Sequence, residues 1–229
     1  MPSVSYLDRR GEIATYFDRT AVQAWSRLTS DAPLGRIRAT VRAGRERMRT
    51  TLLDWLPQDL SGRTLLDAGC GTGALAVLAA RRGARVLAID LSPTLIDLAR
   101  TRCPAGLDIS FCVGDMLDPP GGQFDHVVAM DSLIHYRSAD AVSAVAKLAG
   151  RSRSSVFFTF APRTPVLGLM HAVGRLFPRG DRAPAIEPVA EGMLRRLLTE
   201  DPALTGWQQR RTLRIVSGFY TSQAQELAA

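Results

Sequence analysis

The densest chemistry in this chain of 229 residues lies in one run, Leu65-Leu66-Asp67-Ala68-Gly69-Cys70-Gly71-Thr72-Gly73-Ala74. Glycines at alternate positions let a backbone turn tightly and approach a ligand closely. A helix opening directly behind such a turn attracts negative charge. Asp90 follows about 20 residues after Gly69, at the expected end of the next strand, where a carboxylate can accept both hydroxyls of a ribose. The spacing Gly69-x-Gly71-x-x-Ala74 also satisfies the dinucleotide fingerprint, so the glycines alone leave two nucleotide ligands open.

These residues need a strand in front of them and a helix behind, and the pattern supplies both. Residues 5–30 read as a helix carrying Tyr16, Phe17 and Trp25, and 34–56 as a second, arginine-rich helix ended by Pro57. An alternation follows: strand Thr64–Ala68, helix 73–82, strand Arg85–Asp90, a helix with Pro93 in its first turn, strands Asp108–Val113 and Phe124–Met130, helix 138–150, strand Ser155–Ala161. Strands alternating with helices imply a parallel sheet covered on both faces. The stretch 162–188 breaks the rhythm with Pro162, Pro165, Pro178, Pro184 and Pro188 around a short apolar helix, Val166–Phe177, and reads as an insertion over the sheet's carboxyl edge. Residues 189–199 read as helical, and Gly206–Val216 with Gly218–Ala224 as a closing hairpin. The expected fold is α/β, doubly wound, with a mostly parallel seven-stranded sheet. An N-terminal helical arm (1–57) precedes the core (58–229), and the arm and the insertion form a lid.

Composition narrows the function. Hydrophobic content of 46% and charged content of 22% describe a globular chain. No apolar run approaches the ~20 residues a membrane span needs, and the charged start (Asp8, Arg9, Arg10, Glu12) lacks a signal-peptide core. The expected location is therefore cytoplasmic. Cys70, Cys103 and Cys112 show no metal-ligand spacing and read as free thiols. Net charge is +7, almost wholly from arginine, with Lys147 the one lysine. That balance points to a carboxylate substrate, a nucleic acid or a membrane surface, unless it reflects codon usage alone.

Three further features separate the two nucleotide readings. Asp67 extends the loop to Asp-x-Gly-x-Gly-x-Gly, Gly114-Asp115-Met116 follows the third strand, and Phe124-Asp125-His126-Val127-Val128 leads to Met130-Asp131. From about residue 60 to 161 the chain resembles the class I S-adenosylmethionine-dependent methyltransferases rather than an NAD-dependent oxidoreductase. The resemblance implies S-adenosylmethionine as cofactor and S-adenosylhomocysteine as product. It places Asp67, Ala68, Gly69, Cys70 and Gly71 along the methionine part, Asp90 and Leu91 on the ribose, Asp115 and Met116 at the adenine, and Met130 at the neighbouring strand end. Asp67 and Asp115 could otherwise serve as turn or cap residues. No Asn/Asp-Pro-Pro-Tyr/Phe or Pro-Cys run follows the fourth strand, and no aromatic-basic interleaving is present, so nucleic-acid methylation is disfavoured.

Segments outside this core carry a closer resemblance. They are Tyr16-Phe17-Asp18-Arg19-Thr20-Ala21 continuing to Trp25, Arg36 to Arg45, Phe158 to Pro165, His171 to Pro178, Asp131-Ser132-Leu133-Ile134-His135-Tyr136 and Ser217-Gly218-Phe219-Tyr220-Thr221-Ser222. Together they resemble the magnesium-protoporphyrin IX O-methyltransferase family of bacteriochlorophyll synthesis over nearly the whole chain. Val22-Gln23-Ala24 departs from the Phe-x-Arg expected before Trp25. The resemblance implies methylation of one propionate carboxyl of magnesium protoporphyrin, the magnesium belonging to the substrate, so that no protein metal site is expected. It also implies contact with the porphyrin-binding subunit of magnesium chelatase and leaves room for peripheral association with the photosynthetic membrane. A methyltransferase for another small carboxylic acid or phenol is the alternative.

Within that reading, His135 lies just past the fourth strand, where acceptors bind in this fold, although a lone histidine there is often a satisfied loop residue. Tyr16, on a helix that would cover the site, is the second catalytic candidate, or else a core aromatic. Arg38, Arg42, Arg45 and Arg49 fall at i, i+4, i+7 and i+11 on one helix face. Ile37, Val41, Gly44, Met48 and Leu52 repeat that spacing, rotated by about 100°. An apolar stripe bordered by guanidiniums suits a flat macrocycle bearing carboxylates, and equally a surface helix packed on the core. Arg38, Arg42, Arg45, Arg163 and His171 are the candidate substrate contacts, His171 also as an axial ligand of the porphyrin magnesium. His126 reads as structural.

Overall fold

The computed structural model describes residues 3–20, 35–163 and 185–229. Five strands run parallel: β1 (Thr64–Ala68), β2 (Arg85–Asp90), β3 (Ile109–Val113), β4 (Phe124–Ala129) and β5 (Ser152–Phe160). β7 (Tyr220–Ala228) pairs antiparallel with β5, and β6 (Gln208–Ser217) with β7, giving a seven-stranded sheet of order β3-β2-β1-β4-β5-β7-β6. β1 lies at the switch where the strand order reverses, and in open α/β sheets ligands bind outside the carboxyl ends at such a point.

Adjacent side chains of β1 enter opposite faces. Leu65 joins the core formed with α2 (Arg36–Trp55) and α3 (Ala74–Arg81), whereas Leu66 joins the core formed with α5 (Ser138–Ala149) and α6 (Glu191–Glu200). Strands buried on both faces read as continuous apolar runs, which is why Leu65-Leu66 and Val127-Val128 mark them in the sequence. α4 (Pro93–Arg102) opens at Ser92, whose hydroxyl accepts from Leu95 N, with Pro93 in the first turn.

Several expected boundaries move. The first helix, expected over 5–30, is α1 (Val4–Thr15) followed by one π-helical turn, Tyr16–Thr20. Trp25 lies outside the described residues, as does the expected helix Val166–Phe177. β5 starts three residues before the expected Ser155, at Ser152, because that polar start pairs with the edge of β4. The last hairpin is longer than expected: β7 runs to Ala228, its polar Gln225 and Glu226 paired against β5.

The arginine-rich helix α2 is welded to the core. Met48 and Leu52 have no exposure, so the apolar stripe packs inward along its C-terminal half, while Ile37 near the other end is 57% exposed. Gly44 lies against the ring of Tyr220, where a Cβ would sit 2.4 Å from Cδ1. Glycine is unfavourable inside a helix, so it is kept here for that close approach. Gly44→Ala is expected to destabilise by about 1–3 kcal/mol through overpacking. Gly11→Ala in α1, where nothing lies within 4 Å of the added methyl, should instead stabilise by roughly 0.5–1 kcal/mol. Denaturant melts of both variants check the contrast.

Candidate active site

β1 delivers the glycine loop. Gly69, Gly71 and Gly73 all have positive φ (81°, 54° and 74°), and Gly73 caps α3 in the left-handed region. Gly69 N and Cys70 N both donate to the Ile89 carbonyl at 2.9 and 3.0 Å, tying the loop to the end of β2. A Cβ on Gly69 would stand 2.5 Å from Ser132 Cβ. The loop thus closes against the segment after β4, and one cavity runs between them. The Ser132 hydroxyl, on its wall, is buried with no protein partner among the described residues.

Four carboxylates ring this cavity. Asp67, 2% exposed, accepts from Ala76 N at 3.1 Å. Burial, only partly offset by that bond and reinforced by the nearby Asp90 charge, pushes its pKa up to about 7. Asp90 accepts from Gly71 N at 2.8 Å and from Ser92 N at 3.0 Å, and burial raises its pKa despite both bonds. Each oxygen of Asp90 keeps a lone pair for a further donor.

Asp115 binds α1. Tyr6 Oη donates to Oδ1 and Arg10 Nη1 to Oδ2, each at 2.8 Å, and Leu117 N donates to Oδ1 at 2.9 Å. Tyr6 stacks on Tyr136 with centroids 4.6 Å apart and 14° between planes. The start of α1 is fastened as well: Ser3 and Ser5 hydroxyls donate to Asp140 of α5, and Arg9 pairs with Glu187 at 3.0 Å. α1 therefore covers the Asp115 end of the cavity.

Asp131 follows β4 with φ 54°, a left-handed conformation that costs a non-glycine residue ~1–2 kcal/mol. Its carboxylate pairs with Arg45 at 2.6 Å and accepts from Tyr220 Oη at 3.1 Å to both oxygens, Ser222 Oγ at 3.1 Å and Thr159 Oγ1 at 3.2 Å. Its own N–H donates to Thr159 Oγ1 at 2.7 Å. The Ser217–Ser222 segment thereby acquires a local role, with Tyr220 and Ser222 fixing the turn after β4.

His135 ends a 3-10 turn, Leu133–His135, and is 8% exposed on the cavity wall. Its Nδ1 lies 3.3 Å from the Ala185 carbonyl oxygen. A carbonyl can only accept, so Nδ1 carries the proton and in the neutral ring Nε2 holds the lone pair. The strap bearing Ala185 is held by Glu187 N on Ile134 O and Val189 N on Ala161 O, at 2.8 and 2.9 Å.

Of the expected cofactor residues, Asp67, Gly69, Cys70, Gly71, Asp90, Leu91, Asp115, Met116 and Met130 line this one cavity. Ala68 does not: it is wholly buried in the core beneath. Arg45 lines the cavity, but Arg42 and Arg38 do not, and Arg38 is exposed on the outer turn of α2. Position along the axis of α2 accounts for this: the four arginines share one face, and of them Arg45 and Arg49 lie at the level of the cavity. Arg163 is exposed beyond β5, its N–H donating to Val189 O, and His171 lies outside the described residues. Tyr16 does not line the cavity; it packs edge-on against Phe17, which does, and Phe17 in turn meets His135 edge-on at 6.2 Å. Tyr6, Arg10 and Tyr136 were not singled out for this site by sequence reasoning, and Arg49 was read only as part of the arginine face of α2. His126 bonds Ser155 Oγ at 2.8 Å inside the sheet, in keeping with a structural residue. Among the described residues no His, Cys, Asp and Glu cluster could hold a metal, and no helix is long and apolar enough to cross a membrane.

A reversed strand order with one antiparallel strand beside β5, a glycine loop after β1 and an acid ending β2 together define a class I S-adenosylmethionine-dependent methyltransferase. A methyltransferase-domain family matches residues 65–153, and the family described as the magnesium-protoporphyrin IX methyltransferase C-terminus matches residues 129–229. A magnesium-protoporphyrin O-methyltransferase from Rhodobacter capsulatus is 46% identical over 99% of both chains, and one from Synechocystis is 28% identical over 96% of both. The crystal structure of the Synechocystis magnesium protoporphyrin IX methyltransferase with bound S-adenosylhomocysteine superposes with a TM-score of 0.84 at 27% identity, covering 96% of this chain and 99% of that one. The chain belongs to the magnesium-protoporphyrin O-methyltransferase family, and its cofactor is S-adenosylmethionine.

The Asp67 carboxyl has a stability signature. Its native pKa of about 7 lies above the ordinary 3.8, so between those values the native state holds a proton that the unfolded chain has lost. Its contribution to stability therefore falls as pH rises from about 4 to about 7. Without cofactor, Asp67→Asn should gain on the wild type across that window, by roughly 2–4 °C in Tm for each kcal/mol relieved. Thermal melts from pH 4.5 to 8 check this, and a constant difference would contradict it.

Proposed function

We propose that the chain transfers a methyl group to a propionate carboxyl of magnesium protoporphyrin IX, giving the monomethyl ester, with His135 as the group acting on the acceptor. The observation that carries the site assignment is the continuity of one cavity from Asp115 through the glycine loop to His135. S-adenosylmethionine, when bound, supplies an electrophilic methyl on a sulfonium. Asp90 and Leu91 hold the ribose, Asp90 through its free lone pairs, and Asp115 and Met116 enclose the adenine. Asp67, Gly69, Cys70, Gly71 and Met130 line the methionine part.

The acceptor needs little activation, since a carboxyl group of ordinary pKa is ionised at neutral pH. Alignment and exclusion of water carry most of the work. In a part-apolar cavity the propionic acid form is favoured, and His135 answers that. Its Nδ1–H is committed to Ala185, so Nε2 can take the carboxyl proton, after which the imidazolium holds the carboxylate. Phe17 and Tyr16 approach from the lid side, and Tyr16 is the second acceptor contact in this proposal. Arg163, Arg38 and Arg42 lie toward the exterior, where they suit the approach of an anionic porphyrin, and His171 remains a proposed substrate contact. Delivery by the porphyrin-binding subunit of magnesium chelatase rests on the family resemblance. Peripheral membrane association is supported by exposed Ile37, Val216 and Phe219 near Arg36 and Arg38, the hairpin tip resting on Thr40 of α2.

Incubation with labelled methyl donor and magnesium protoporphyrin, followed by mass analysis, tests the reaction. One added methyl on the porphyrin is expected, and methylation confined to other acids or phenols would reject it. His135→Ala should lower single-turnover rate by about 10²-fold or more, with cofactor affinity near wild type. Full activity in the folded variant would remove His135 from the chemistry.

A further inference from the structure

We infer that Asp131, locked by Arg45, Tyr220 and Ser222, is a positioning residue for His135, setting the turn after β4 in register with the glycine loop. This rests on His135 acting on the acceptor. Among the described residues Asp131 is the one non-glycine with positive φ. Strain of that kind persists only where the surroundings over-determine it. They do so here. The carboxylate, its side chain 4% exposed, pairs with Arg45 of α2 at 2.6 Å. Hydroxyls of Tyr220 and Ser222 from β7 and of Thr159 from β5 donate to it. Burial and the Asp131 charge push the pKa of the Tyr220 phenol up, so it stays a donor. Thr159, without exposure, accepts the Asp131 N–H at 2.7 Å. The residue is thus held from one helix and two strands at once.

The residues that follow carry this placement into the site. Ser132 is wedged against the donor loop, since a Cβ on Gly69 would stand 2.5 Å from Ser132 Cβ. Leu133, 2% exposed, then opens the 3-10 turn that ends at His135. The far side of the turn is fixed separately, by Glu187 N on Ile134 O and by Tyr136 stacked on Tyr6. The Asp131 network therefore sets the near side alone, the separation between the glycine loop and His135. Its loss shifts that separation without unfolding the turn. An in-line displacement is sensitive to such a shift, about 1 Å of misplacement costing ~10²-fold. Arg45, expected from the sequence to contact the porphyrin, acts through Asp131 instead. Exchanging so enclosed an ion pair for a ligand would leave a buried charge behind.

A double-mutant cycle read in single turnover, with labelled S-adenosylmethionine and magnesium protoporphyrin, tests this. Asp131→Gly accepts the positive φ freely and removes every carboxylate contact. It should lower the rate by about 10–100-fold and leave S-adenosylhomocysteine affinity, measured by calorimetry, within about 3-fold of wild type. Asp131→Asn, which tolerates the same φ and keeps one acceptor oxygen, should fall between. Tyr220→Phe keeps the ring against Gly44, loses only the hydroxyl, and should show the same pattern at smaller size. Added to His135→Ala, Asp131→Gly should cost no more than about 2–3-fold further, because the group it positions is already gone. Losses that multiply in the double variant would show Asp131 acting independently of His135 and overturn the inference. Weakened S-adenosylhomocysteine binding with an unchanged rate at saturation would place Asp131 on the donor and overturn it as well. Where Asp131→Gly does not fold, Asp131→Asn and Tyr220→Phe carry the same cycle, and wild-type rates in both would overturn the inference. Full activity in His135→Ala alone would instead defeat the acceptor reading beneath it.

Discussion

Four carboxylates converge on the carboxyl ends of adjacent strands, and the cavity exists only because each is answered by a different donor. Asp67 and Asp90 are answered by backbone N–H groups, Asp115 by a phenol and a guanidinium from α1, and Asp131 by an arginine of α2 with hydroxyls of β5 and β7. Unanswered carboxylates this close and this buried would either repel or protonate, and Asp67 shows the second outcome already under way. The donors come from both appended helices and from the antiparallel hairpin. Charge balance at the strand ends thus recruits the parts of the chain that the nucleotide-binding core lacks.

The same requirement explains the attachment of the N-terminal region. α2 is core, with Met48 and Leu52 fully buried and Gly44 pressed on Tyr220. α1 is held mainly at polar points, Asp115, Asp140 and Glu187, apart from Tyr6 and Ile13. Such contacts trade more readily for water than the buried apolar stripe that fixes α2. The 1–57 arm is therefore two pieces of different character. The Asp131 network offsets the strain of a left-handed residue and fixes the turn that carries His135.

What the sequence disclosed follows the range of the forces involved. The glycine loop, Asp90 and Pro93 were legible because their roles are local: positive φ, a strand end and a first helical turn each demand a residue type at its own position. The alternation of strands and helices was legible from Leu65-Leu66, Val127-Val128 and the helices between. Tyr6 and Arg10 were not, because they are defined by Asp115, more than a hundred residues away. Arg45 and Arg49 were legible as one face, but the pairing of Arg45 with Asp131 was not, since it joins residues 86 positions apart that meet only in the folded chain. Ala68 had the right address and the wrong orientation, its side chain pointing into the core.

The account depends most on Asp90, whose two oxygens each keep an acceptor site beside the glycine loop. Isothermal titration of S-adenosylhomocysteine into Asp90→Ala, with the fold verified by circular dichroism, tests it most directly. Loss of affinity by about 10–100-fold or more is expected from removing a charged acceptor of two ribose hydroxyls. Affinity equal to wild type in a folded variant would contradict the placement of the cofactor on which every other assignment rests.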